Sequence, residues 1–600
     1  MKNLHLVSAG VVTCALLAAF IACGDPSTAG PANDAGKDAP TQDVADVDGG
    51  HPLCVDGKSV DGIYPVTKYE FGILETPPDL SFKGASGNVA LHDYFEPCAA
   101  KSRLLVIRVG APWCGTCLWH LRHTGDLKKL DVGSRLMLLD LQVANRDNDV
   151  PVLADLGSYR SLIDAPEALA LDPAYQLGAV DPGRGPLPLI VLVDTRTMSV
   201  RNYLHDPDPQ LLETRIRQEL ASLDGGSNPT FPKEEKFDGL FSRNQWDLLH
   251  EMTLPGAPPP DPTNAKADDA TAAALGKLLF SDKRLSPSGN VACASCHDAT
   301  KDFQDGLPQS TAGISKLDRN SPAIALAAHA RWQFWDGRAD TLWMQALGPF
   351  ENEKEFGGSR LHVVHATLDN LAAAYTNVFG PAPDLSDPAR FPAAGKPGDA
   401  TWQAMTAADQ KTVTAVFVNV GKAIAAFERT LRVKPNKLDA YIGGDMNALS
   451  AAEKGGLAGF FSAGCAQCHW GPRLTDDAFH PDRYPTGRQD AQGDRGRIDG
   501  VGQLLGSEFA QPHPGLASLP AQLGSFKTTP LRGIVGSGPY GHGGTLATLQ
   551  DVARAYGTAG IPNADPRAVG ETERWLPQFA QPHADDLVPF LNVLSAEPLP

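Results

Sequence analysis

The period of the apolar positions changes along this chain. Between about 53 and 223 they form short unbroken runs, "RLLVIRV", "RLMLLDLQV" and "LPLIVLVD". Runs of this kind fill strands buried on both faces. "MSVRNYL" reads as a hairpin partner of the third run, while "LWHLRHTGDLKKL" and "PQLLETRIRQELASL" have helical character. This part of the chain is therefore predicted to be an α/β domain. Further on the pattern becomes helical segments joined by long loops, with "TAVFVNVGKAIAAFERTL" an amphipathic helix near the middle of that half. Proline- and glycine-rich stretches, "DGGSNPTFPKEEK" and "LPGAPPPDPTNA", separate the two regimes. The expected organisation is a leader at 1–23, a flexible tether at 24–52, an α/β domain at 53–225, a linker at 226–265, and mainly α-helical domains at 266–445 and 446–600.

Composition adds limits. A chain of 600 residues is too long for one core, and roughly three or four domains is the expectation. The net charge of -18 argues against nucleic acid, which needs a basic surface, and favours approach of a positively charged protein. Lys2 followed by "LVSAGVVTCALLAAFIA" has the form of an export signal. The run ends at Cys23 in "FIAC", which resembles a lipobox whose cysteine is lipidated, with Phe20 in place of the usual leucine; an ordinary cleaved signal or a short uncleaved anchor is the alternative. Lipid anchoring on the periplasmic side of a bacterial membrane is the expected location. There disulfides persist, so Cys54 and Cys98 are candidates for a structural bridge.

Chemistry concentrates in three CxxC pairs. "APWCGTCLWHL" lies between a strand and a helix, which places Cys114 at a helix N-terminus, where thiolate is favoured, with Cys117 as resolving partner. The other two pairs carry a histidine directly behind, "CASCH" at Cys293, Cys296 and His297, and "CAQCH" at Cys465, Cys468 and His469. Neither a dithiol enzyme nor a usual zinc site needs that histidine. A c-type haem does, as its axial ligand, with the cysteines as thioether anchors.

The first region resembles the thioredoxin fold, most closely its exported TlpA-type branch, on the strength of "WCGTC" and of Pro188 before "LIVLVD". The resemblance implies a cis-proline at Pro188 beside catalytic Cys114 and Cys117. It also exposes a departure, because Arg108 stands where a buried acid is usual, and its guanidinium is then a candidate to favour the thiolate.

The region from about 250 to 600 resembles the bacterial di-haem cytochrome c peroxidase/MauG superfamily. The motifs are "LGKLLFSDKRLSPSGNVACASCH", "RNSPAIALAAHARWQFWDGRADTLWMQALGPFENEKEFGG", "AAFERTL" and "GSFKTTPLRGIVGSGPYGHGGTLATLQDVARAY". The resemblance implies two covalent c-type haems, the first peroxidatic and the second for electron transfer. It assigns Trp335 as relay between haems, Gln345 to orient peroxide, and Glu355 to move its proton. The loop "DFQDGLPQSTAGISKLDRNSP" has no histidine, so the first haem is expected to be open to peroxide without prior reduction. Tyr556 falls where peroxidases of the family carry methionine, implying MauG-type ligation of the second haem, with His542 the rival ligand. A calcium ion between the haems is implied at Asn320, Ser537 and Pro539.

The expected protein is thus a multidomain exported peroxidase, a thioredoxin-like domain followed by two c-type cytochrome domains. It would reduce hydrogen peroxide with electrons from a cytochrome, a cupredoxin or a protein substrate. A conventional cytochrome c peroxidase, a thiol–disulfide oxidoreductase electrically coupled to haem, and a plain electron carrier remain as alternatives.

Overall fold

The computed structural model describes residues 54–55, 58–59, 64, 73, 76–99, 103–130, 132–164, 168–177, 186–226, 236–481, 484, 493–513, 516, 523–556, 569–570, 573 and 581–595, with the backbone alone at 54–55, 58–59 and 581–584. The expected signal, lipidation at Cys23 and tether at 24–52 lie outside these residues. Cys98 is disulfide-bonded; the side chain of Cys54 is not described.

A short hairpin, β1 (Cys54–Val55) with β2 (Lys58–Ser59), precedes a seven-stranded sheet. Its strands are β3 (Ser81–Gly84), β4 (Gly87–Ala90), β5 (Leu104–Gly110), β6 (Leu136–Gln142), β7 (Ala168–Leu171), β8 (Leu189–Asp194) and β9 (Val200–His205), in spatial order β4-β3-β7-β6-β5-β8-β9. The three apolar runs become β5, β6 and β8. These are the central strands, and nearly every residue in them is buried because helices and loops cover both faces. β5 runs parallel to β6 and antiparallel to β8, and β8 pairs with β9 as a hairpin. This βαβ-plus-hairpin arrangement is the expected thioredoxin-like one. "LWHLRHTGDLKKL" breaks at His123 (φ -110, ψ 20) into α1 (Gly115–Arg122) and α2 (Thr124–Lys129), where one helix was expected. α3 (Asp155–Arg160) and α4 (Pro209–Leu223) follow, the latter started by Asp208, whose carboxylate accepts from Leu211 N–H with Pro209 in the first turn.

Part of the segment expected to be a linker is folded. α5 (Arg243–Glu251) buries Leu248 and Leu249, and Phe241 and Met252 beside it are fully buried. Its polar face meets the sheet domain: Trp119 donates to Asp247 (3.1 Å) and Arg122 pairs with Glu251 (2.8 Å). The spacing of apolar residues in "GLFSRNQWDLLHEM" is helical, but it is short and flanked by proline-rich sequence.

The rest is helical. α6 (Ala270–Ser281), α7 (Cys293–Cys296), α8 (Leu342–Glu351), α9 (Arg360–Phe379), α10 (Ala400–Gln403) and α11 (Ala407–Glu428) enclose the first helical core. α11 is its central element and was expected to be amphipathic. Val413, Phe417, Val420 and the run Ala423–Ala426 are buried because α6, α8 and α9 surround it. Gly276 of α6 permits that approach, since a Cβ there would stand 1.9 Å from the Ala423 carbonyl. α12 (Lys437–Ile442), α13 (Ala451–Ser462), α14 (Arg497–Leu505), α15 (Leu549–Ala555), α16 (Gln581–Leu591) and the small hairpin β10 (Phe479–Pro481) with β11 (Ser525–Lys527) follow. Most of this last group forms a second core around Phe460, Phe461, Leu587 and Phe590. Among the described residues no helix is long and apolar enough to cross a membrane.

Candidate functional site

Cys114 ends the turn after β5 and caps α1: its Sγ accepts from Cys117 N–H at 3.2 Å. Donation from a helix N-terminus favours negative charge on that sulfur. The two cysteines form a disulfide and are 0% and 2% exposed. The Leu187–Pro188 peptide is cis, and Thr116 Oγ1, 3.5 Å from Cys114 Sγ, donates to the Leu187 carbonyl.

Arg108 does not serve the thiolate. Its guanidinium is held by Asp140 through two bonds (2.7 and 2.8 Å) and donates also to His120 O and Thr124 Oγ1. Both partners are buried, and breaking such a pair costs about 3–5 kcal/mol because one charge is left alone. The acid near the cysteines is instead Asp206, at the end of β9, which shares a hydrogen bond with Thr116 and has its carboxyl pushed up to about 7 by burial. Sequence reading missed it because "YLHDPDP" gives no sign that this aspartate turns back on the CxxC helix.

The two CxxCH segments are built alike. None of their cysteines is in a disulfide. His297 Nδ1 bonds the Phe303 carbonyl (3.1 Å), and His469 Nδ1 bonds the Leu474 carbonyl (3.0 Å). Each carbonyl belongs to a non-glycine residue in the left-handed region, Phe303 at φ 59 and Leu474 at φ 53. Such strain is retained where the surroundings require the geometry. The bond fixes the ring and leaves Nε2 as the nitrogen that would ligate a metal, the usual outer support of a ligating histidine. Burial lowers both imidazole pKa values, favouring the neutral form that ligation needs.

One cavity of about 620 Å³ reaches both histidines and is lined also by Trp335, Gln345, Glu355 and Tyr556. Gln345 projects from α8. Glu355 follows the end of that helix, its Oε1 accepting from the Asn352 amide (2.7 Å). Burial pushes its pKa up, partly offset by the Arg338 guanidinium and that amide bond. The carboxyl of Glu355 is also close enough to act electrostatically on Cys293 and Cys296, which places it at the first CxxCH. Trp335 is clamped at both ends: its indole donates to Asn320 O (2.9 Å) and its carbonyl accepts from Lys527 N–H (2.8 Å). Beside it Arg319 joins Asp336 and Asp494. Burial alone would raise Asp336, but Arg338 and Arg319 hold it well below the usual carboxylate range.

The rival ligands for the second site both line the cavity but pack against different partners. His542 stacks on Phe526 (3.7 Å between centroids) and meets Trp335 edge-on at 6.5 Å. Tyr556, at the end of α15, packs in the same cluster as Cys465 and Trp470 and touches Tyr484 (6.0 Å). Asn320, Ser537 and Pro539 also line the cavity; the Asn320 amide donates to Leu307 O and Ser537 Oγ to Ile534 O.

A family model described as di-haem cytochrome c peroxidase matches residues 270–447. The cytochrome c551 peroxidase of Pseudomonas aeruginosa is 32% identical over 327 residues, covering 54% of this chain and 78% of that protein. The methylamine utilization protein MauG of Methylorubrum extorquens is 33% identical over 329 residues, with the same coverage of 54% and 78%. The chain belongs to the di-haem cytochrome c peroxidase family. It is therefore an oxidoreductase, and membership implies two c-type haems. The residues fit that group, since each CxxCH offers two unpaired cysteines and a histidine whose Nδ1 is already engaged, on one shared cavity. The first 225 residues lie outside the peroxidase match. There a structure named as a thiol:disulfide interchange protein (DsbE) of Chlorobium tepidum is similar, at 19% identity and a TM-score of 0.21, covering 24% of this chain and 96% of that one.

Proposed function

We propose that this protein reduces hydrogen peroxide in the MauG manner, with peroxide bound on the His297 side and electrons entering on the His469 side. The observation that carries the reading is the cavity that Trp335, Gln345 and Glu355 line together with both histidines. Bound haem supplies the iron that takes peroxide and passes electrons. Glu355 takes a proton from one peroxide oxygen and returns it to the other, a task suited to a carboxyl whose pKa burial has raised. Gln345 orients the oxygens. Trp335, held by Asn320 O and Lys527 N–H, keeps an indole fixed between the two sites. Tyr556 would ligate the second site's iron, favoured over His542 because the His542 ring is stacked against Phe526. A phenolate there stabilises oxidised iron. Asn320 Oδ1 and the carbonyls of Ser537 and Pro539 would hold a calcium ion, hard oxygen ligands being what that cation takes.

The electron donor is a small cytochrome, a cupredoxin or side chains of a protein substrate. The sequence of residues 1–52 supports export and lipid anchoring through Cys23 on the periplasmic face of a bacterial membrane. The test is haem content and peroxide-driven oxidation of a reduced small redox protein. Two c-type haems per chain and turnover are expected; one haem, or none, would end the reading.

A further inference from the structure

The disulfide face of the thioredoxin-like domain does not meet solvent. It is covered by the segment that carries the second CxxCH. Trp470, the residue after His469, lays its indole on Gly115, where a Cβ would stand 2.7 Å from the ring, so glycine in "WCGTC" is what permits the contact. The same indole donates from Nε1 to the Trp113 carbonyl at 2.8 Å. The Trp113 ring in turn meets His480 edge-on, 4.9 Å between centroids, and His480 lies within 4.8 Å of Cys468 Sγ. Cys468 packs against the core that includes Trp113, Cys114 and Cys117. Asn148 reaches across to the Phe479 carbonyl (3.1 Å) and Glu573 (2.7 Å), and Asp147 to Arg331 and Trp332, so the contact is fastened on several sides. From His469 to Cys114 the path is one peptide step, one hydrogen bond and one further peptide step.

Resting on the peroxidase reading, we infer that Cys114 and Cys117 are an internal two-electron donor to the second CxxCH site. In the reduced chain the step is Cys114–SH plus Cys117–SH plus hydrogen peroxide giving the disulfide and two water molecules. Two S–H bonds break and one S–S bond forms. The O–O bond is cleaved, the electrons pass one at a time through Trp113 and Trp470, and both protons end in water. Asp206, whose Oδ1 is buried without a hydrogen-bond partner, is placed beside Thr116 to take a proton as the thiols oxidise. The direction follows from the couples, because a thioredoxin-type dithiol is a reductant and peroxide a strong oxidant. Recharging uses an external dithiol by thiol–disulfide exchange, which reaches the pair when Trp470 lifts from Gly115.

The experiment uses the full-length haem-loaded protein, reduced with dithiothreitol, freed of it without air, and given one equivalent of hydrogen peroxide. Haem absorbance is followed while Cys114 and Cys117 are counted by alkylation and mass spectrometry. Both thiols should vanish in step with the haem response, at least tenfold more slowly in Trp470→Leu of equal haem content, and more slowly in Glu355→Gln together with the haem response itself. If Trp470→Leu does not accumulate with haem, Trp470→Phe keeps the ring but loses the hydrogen bond and should slow thiol loss several-fold. A haem response with both thiols still alkylated would overturn the inference and leave the peroxidase reading standing. Thiol loss unchanged in Glu355→Gln would overturn it too, as direct oxidation. No haem response at all would overturn both.

Discussion

The two CxxCH sites share one device and differ in everything around it. In each, a left-handed residue turns a carbonyl onto histidine Nδ1. The first site then faces α8 and its end, where Gln345, Glu355 and Arg338 put an amide, a carboxyl and a positive charge on the cavity. The second faces Tyr556, Tyr484 and Tyr540 on the cavity and backs onto the thioredoxin-like domain through Trp470. The same histidine support is thus set among unequal neighbours, an amide, a carboxyl and a guanidinium on one side, tyrosines and the disulfide domain on the other, and the proposed division of labour rests on that difference.

Mutations can break that contrast. The largest effect is expected from Glu355→Gln, which removes the proposed proton carrier at the first site and should lower peroxide turnover by roughly 10²–10⁴-fold, measured as peroxide consumption, with the second site's spectrum unchanged. Next is Tyr556→Phe. It should abolish the low-spin ferric signal of the second haem, while His542→Ala leaves that signal in place; the reverse pattern in paramagnetic resonance would exchange the two residues' roles. Gly115→Ala drives a methyl into Trp470 and should destabilise the folded chain by ~1–3 kcal/mol, read by denaturant unfolding against Gly157→Ala, where a Cβ meets nothing within 4 Å.

The effect confined to pH dependence concerns Asp206. Its folded pKa, about 7, lies above the ordinary 3.8. Below the ordinary value both states are protonated and the group contributes nothing. As pH rises from there the unfolded carboxyl ionises first, so stability falls until the folded carboxyl also ionises near 7. Asp206→Asn should flatten that fall in unfolding curves taken between pH 4 and pH 7.

How much of this was legible beforehand follows from the range of each interaction. β5, β6, β8 and α4 were readable because continuous apolar runs and a Pro-initiated helical period are local signals. The CxxCH residues stand out because haem attachment fixes residue types at fixed offsets, whereas Trp335, Gln345 and Glu355 come from the family resemblance, and the structure puts all three on one cavity. Trp470 was adjacent to a motif, yet its partner Trp113 is 357 residues away, and nothing local announces that contact. Arg108 was noticed as a departure but misassigned, because its charge is spent on Asp140 in the neighbouring strand, a pairing set by the β5–β6 register. Asp206 was missed for the same reason, since its approach to Thr116 depends on how the β8–β9 hairpin ends. α5 was read as linker because its proline-rich flanks outweighed a short helical pattern.

The central claim is that the first site, and not the second, meets peroxide, and does so without prior reduction. Paramagnetic resonance of the ferric haem-loaded protein, before and after one equivalent of hydrogen peroxide, tests it directly. The account predicts one high-spin and one low-spin haem, with the high-spin signal lost on adding peroxide. Two low-spin signals, inert to peroxide until the protein is first reduced, would contradict it.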